Sequence, residues 1–117
     1  LEDARKYRVG TQRGDYTEVL LGNLGFEHVD VGADFQITLH KLNAGRIDLM
    51  PMSESTFKSQ PPGTFREVIT LARQQLGLAC NKSVPDEVIA KLQARLDRLI
   101  ADGTQQSIFD RYKLVSP

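Results

Sequence analysis

Apolar residues recur along this chain in two rhythms, short alternating runs and longer stripes at helical spacing, and their order sets an architecture. Tyr7-Arg8-Val9-Gly10-Thr11-Gln12 reads as a short strand that ends at Arg13-Gly14-Asp15, where helical spacing takes over. Asp15 followed three residues later by Glu18 is a capping-box pair, in which the Asp15 side chain accepts from the first free backbone N–H groups. Val19, Leu20, Leu21 and Leu24 supply the apolar face of that helix. Gly22 and Gly25 are its two stop signals, with Gly25 better placed. A second strand is expected over 26–31, where Phe26, Val29 and Val31 stand among Glu27, His28 and Asp30. Asp34 caps a second helix with Phe35, Leu39 and Leu42 on one face, closed by Gly45. Ile47-Asp48-Leu49-Met50 predicts a third strand. Pro51 has no N–H to give to a ladder, so the strand ends there or lies at an edge.

Beyond this point the spacing predicts one helical turn over 53–58, and Gln60-Pro61-Pro62-Gly63 is the strongest breaker in the chain. Two further strands are expected over 65–71 and 75–80, joined at Arg73-Gln74. Pro85 suits the first position of a helix, with Asp86 and Glu87 complementing its dipole. Val88, Leu92, Leu96 and Leu99, with Ile89 and Ile100 beside them, form its stripe. Asp102-Gly103-Thr104 ends it and opens a shorter helix with Ile108, Phe109 and Tyr112. The order β-α-β-α-β, loop, two strands, two helices predicts an α/β fold with a largely parallel sheet flanked by helices.

Composition narrows the function. A chain of 117 residues holds one core, or half of a two-lobed protein. Fifteen basic and fifteen acidic side chains cancel, which argues against a nucleic-acid binder and gives no electrostatic reason to sit on an anionic membrane. No apolar stretch approaches the ~20 residues that span a bilayer. Cys80 is the only cysteine, so no internal disulfide and no thiolate metal cluster can form. Within the apolar run 76–80 it is expected as a small buried hydrophobe. His28 and His40 lack partners at ligand spacing, so no metal site is expected. No Ser sits in a Gly-x-Ser-x-Gly elbow, and neither glycine-rich nucleotide signature occurs. The expectation is a protein that is not an enzyme and carries no cofactor.

Two segments could bind a small molecule. In open α/β sheets, ligands sit at the carboxyl ends of strands, where helix N-termini offer free N–H donors. The turn Arg13-Gly14-Asp15-Tyr16 has that placement. Gly14 permits close approach, and Arg13 can hold a carboxylate through two parallel bonds. If Asp15 caps the helix, its charge takes the place of an anion and favours a neutral or cationic ligand group there. The alternative is that Asp15 is only a cap and Arg13 a surface charge. The second segment is Met50-Pro51-Met52-Ser53-Glu54, an adaptable apolar wall with Ser53 or Glu54 as its polar contact. Its alternative is a core strand running into a loop.

Tyr7-Arg8-Val9-Gly10 leading into Gly14-Asp15-Tyr16, then Leu42-Asn43-Ala44-Gly45-Arg46-Ile47-Asp48-Leu49, resemble the second lobe of family 3 extracellular solute-binding proteins. The tail, from Ser83-Val84-Pro85-Asp86-Glu87 to Ala101-Asp102-Gly103-Thr104, is similar to that family's C-terminal helices. The resemblance implies the second lobe of a type II periplasmic-binding fold over 1–80, with a helical segment over 81–117 that packs on a first lobe. It implies a periplasmic receptor of an ABC importer for a polar amino acid or related small solute, docking on a membrane permease once its lobes close. It places the turn at 13–16 where the family grips a ligand's α-carboxylate. Ser53 or Glu54 falls where the family commonly has an Asp for the α-ammonium. Asp15 stands in place of the family's hydroxyl residue and the Asp is displaced or absent, which points away from a standard α-amino acid. An extracellular sensor domain and a dehydratase-like enzyme are the other functions that fold hosts.

No first lobe is present in this sequence, which opens on Leu1 and reads as a mature or trimmed chain. The stripe at Val88, Leu92, Leu96 and Leu99 therefore needs another partner, because exposing each aliphatic costs on the order of 1.5–3 kcal/mol. The chain is a trimmed or proteolysed piece, or its tail folds onto this lobe, or two chains exchange tails in a homodimer.

Overall fold

A computed structural model describes residues 1–114, and the chain divides into two compact units, Leu1–Leu71 and Ala72–Pro117. The first unit is mixed α/β. After a 3-10 turn at Glu2–Ala4 come β1 (Arg8–Gln12), α1 (Tyr16–Asn23), β2 (His28–Gly32), α2 (Phe35–Asn43) and α3 (Glu54–Ser59). Strands β1 and β2 pair in parallel, Arg8 opposite His28 and Gln12 opposite Gly32. The expected third strand contributes a single parallel bridge, Val9 to Leu49, on the other side of β1. Around that bridge the Gly10 N–H donates to the Leu49 carbonyl at 2.9 Å.

The core of this unit is small. Val9, Leu21 and Phe26 cluster at its centre, with Ala4, Leu24, Val29, Leu49 and Leu71 packed around them. Leu21 is the apolar residue of α1 that is fully enclosed, whereas Val19 is 65% exposed and does not share the apolar face expected for it. The 3-10 turn is fastened to the α1–β2 connection. Arg5 Nε donates to the Leu24 carbonyl at 2.8 Å, and Glu27 N–H donates to the Arg5 carbonyl.

Helix α2 lies close against β1 and β2 because two glycines make room for it. Thr38 is fully buried. A Cβ added at Gly10 would overlap Ile47 Cδ1 and come within 2.9 Å of Thr38 Cγ2, and one at Gly32 would stand 2.6 Å from Thr38 Oγ1. The Thr38 hydroxyl loses no hydrogen bond by burial: the Asp34 carbonyl accepts from it at 2.9 Å and the Thr11 carbonyl lies at 3.2 Å. A polar side chain is thus carried into the interior at little cost.

Helix ends follow the residues that can supply them. Asp15, Asp34 and Ser53 cap α1, α2 and α3, each accepting a backbone N–H two or three residues on. Gly25 and Gly45 follow α1 and α2 in the left-handed region, at φ +76° and +69°, which an L side chain adopts only with strain. At the amino edge of the sheet, Arg8 holds Asp48 through two parallel bonds, Nε to Oδ2 at 3.1 Å and Nη2 to Oδ1 at 2.9 Å. The Arg8 backbone N–H also donates to that carboxylate. These bonds hold the Asp48 carboxyl below the usual carboxylate range.

The second unit consists of α4 (Asp86–Ala101) and α5 (Thr104–Tyr112), preceded by chain without regular structure. Pro85 is the N-cap residue of α4, and the helix begins at Asp86 rather than at Pro85. Gly103, at φ +81°, turns the chain between the two helices. Hydrogen bonding from the Thr104 side chain, and then from its backbone N–H at 2.9 Å, lowers the Asp102 carboxyl pKa. Val88, Leu92, Leu96 and Leu99 remain 42–51% exposed.

The strands expected over 65–71 and 75–80 do not form among the described residues. Their apolar pattern suits a ladder, but a strand exists only where a neighbour accepts and donates its backbone bonds, and no such pairing is made among the described residues. Leu76 and Leu78 are 100% and 83% exposed. Cys80, expected to be buried among them, is exposed for the same reason.

Gly10→Ala should cost about 1–3 kcal/mol, the range for overpacking a filled interior. Gly22→Ala, in open space inside α1, should gain roughly 0.5–1 kcal/mol from reduced backbone entropy. Urea unfolding of both variants tests this, and equal effects would refute the close approach of α2. A second expectation concerns pH. A carboxyl whose folded pKa is depressed contributes stability above its unfolded pKa of about 4, and loses it as pH falls through the folded value. Asp48→Asn should therefore lower the thermal midpoint slightly at pH 7, and the gap to the parent chain should close below about pH 4. A gap independent of pH would show that the ion pair is not its source.

Candidate functional site

Parallel pairing sends the chain the same way as it leaves Gln12, Gly32 and Leu49, so the segments that follow all emerge at the carboxyl edge of the sheet. Each leads into a helix start: Asp15 for α1, Asp34 for α2 and Ser53 for α3. Such an edge gathers backbone N–H donors and helix dipoles, the physical reason ligands favour it.

The first turn is tightly built. Asp15 N–H donates to the Gln12 carbonyl at 3.1 Å, and Arg13 N–H donates to the Gly32 carbonyl at 2.9 Å, tying the turn to the end of β2. Gly14 adopts φ +73° with nothing within 4 Å of where a Cβ would stand. Backbone conformation, not crowding, therefore calls for glycine here. Asp15 Oδ1 accepts from the Thr17 N–H at 2.8 Å and from the Thr17 hydroxyl at 2.7 Å. The hydroxyl proton of Thr17 being used in this way, the Thr11 hydroxyl is the donor in the 2.5 Å contact between Thr11 Oγ1 and Thr17 Oγ1. A chain of hydroxyls thus runs from buried Thr11 to the exposed Asp15 carboxylate.

Glu18 completes the turn differently from a standard capping box. Its Oε2 accepts from the Gly14 N–H at 2.9 Å, while the Asp15 N–H is already engaged with Gln12. Two backbone donors that could meet an anion, at Gly14 and Thr17, are therefore occupied by the chain's own carboxylates. Arg13 and Tyr16 are exposed. The turn offers a ligand Arg13, the unused lone pairs of Asp15 and Glu18, and the Tyr16 ring.

The second segment is also engaged in local bonds. Ser53 Oγ accepts from the Thr56 N–H at 3.2 Å and touches the hydroxyls of Ser55 and Thr56. Glu54 pairs with Lys58 at 2.7 Å along one face of α3, in an exposed geometry. Met50, Pro51 and Met52 are half-buried. Both segments thus share one edge by topology, and within each the polar groups are joined by local bonds.

Gln12 is the last residue of β1. Its Nε2 is buried and has no hydrogen-bond partner among the described residues. It lies one residue before the turn. No sequence signal marks such an atom, since a Gln at the end of a strand ordinarily reaches water. The cavity lined by Arg8, Glu27, His28, Asp30 and Arg46, about 370 Å³ in volume, lies instead at the amino edge. Its Arg8 is already committed to Asp48.

No protein-family model, curated protein or solved structure matches this chain. No helix among the described residues is long and apolar enough to cross a membrane.

Asp15→Ala should destabilise the chain by about 0.5–2 kcal/mol, the ordinary worth of an N-cap, while Asp15→Ser keeps a capping oxygen and should lose much less. Thermal unfolding separates them, and matching midpoints would mean that the cap is not what Asp15 contributes.

Proposed function

We propose that this chain is the second lobe of a solute-binding protein serving an ABC-type importer, for a polar amino acid or related small solute. The observation that carries the proposal is the shared carboxyl edge: a glycine turn after β1 and the start of α3 after the Leu49 bridge emerge on one side of a parallel sheet. The resemblance of the segments around Gly14, Gly45 and Gly103 to the second lobes of that family supports the same reading. On it, the protein works in the periplasm, captures solute between two lobes and presents the closed form to a membrane permease. Binding is its task, with no reaction catalysed.

Arg13, Gly14, Asp15 and Tyr16 form one wall of the ligand cleft in this reading, and Ser53 and Glu54 border another. Because Glu18 and Asp15 occupy the Gly14 and Thr17 donors, a ligand carboxylate gains little at the start of α1 and would meet like charge there. The ligand group facing Asp15 is instead a hydrogen-bond donor such as an ammonium. Arg13 holds any acidic end of the solute from beside the turn.

The complete gene product, screened by thermal shift against polar amino acids and amine-bearing solutes, tests this reading. A ligand at a hundred times its Kd adds about 2.7 kcal/mol to stability, a readily measured shift. Solutes with an amine should outperform simple carboxylates. No shift with any solute of either kind would overturn it. Arg13→Ala in the same protein should weaken binding of a solute that carries a carboxylate, and unchanged affinity would return Arg13 to the surface.

The exposed stripe of α4 has a matching consequence. In the family's arrangement a first lobe covers it, and without that lobe two chains can pack their tails together. Light scattering on the 117-residue chain should then give twice the 13.1 kDa of one copy. A monomer at high concentration would remove the homodimer and leave the first lobe as the partner of α4.

A further inference from the structure

We draw no further inference here: the strongest candidate, the exposed apolar face that Ile89, Leu92, Leu96 and Leu99 form on α4, is an unpartnered helix face, and nothing in the structure shows what covers it.

Discussion

The seat of Thr38 against Gly10 and Gly32 is the contact on which the first unit depends. A side chain at either glycine would crowd Thr38 of α2, and at Gly10 would also overlap Ile47, so the helix could not keep its present seat. With both absent, a threonine fills the gap and spends its hydroxyl on carbonyls of Asp34 and Thr11. Gly32, the residue against which Thr38 packs, also pairs with Gln12 at the end of the sheet. The Arg13 N–H bonds to the Gly32 carbonyl, so the turn after β1 is tied to the strand end on which α2 is seated. A core of few large residues makes such an interlock more consequential, since little apolar area is available elsewhere to hold the sheet together.

How far this could be read in advance varies with how local the cause is. Caps and stops are local: Asp15, Asp34, Gly25 and Gly45 stand where the pattern puts them, and α1, α2, α4 and α5 follow the helical spacing closely. Burial is not local. Thr38 is polar and gives no sign that it belongs inside, because its place depends on two glycines 28 and six residues earlier. Val19 is apolar and faces outward, while Leu21 of the same helix is fully enclosed. The segments over 65–71 and 75–80 have the composition of strands, yet composition cannot provide the neighbouring strand that a ladder needs. Cys80 shares their exposure for that reason.

The candidate site divides along the same line. The placement of 13–16 and 50–54 at one sheet edge follows from element order, which the sequence displays. The commitments of the donors there do not. That Glu18 reaches Gly14, and that Thr17 passes the Thr11 hydroxyl on to Asp15, arise from side-chain geometry that motif spacing only partly constrains. These bonds convert a helix start that ordinarily attracts anions into one that carries its own. The polarity of the edge is therefore a property of three or four side chains and not of the fold.

The unpaired stretch around Leu76-Gly77-Leu78 bears on how copies of the chain meet in a crowded solution. Backbone groups without a ladder and bare leucines beside them are a template for strand addition by any similar segment. Arg73 stands on one side of that stretch and Lys82 on the other. Like charges at both flanks of an apolar segment oppose in-register stacking of identical copies, by their mutual repulsion.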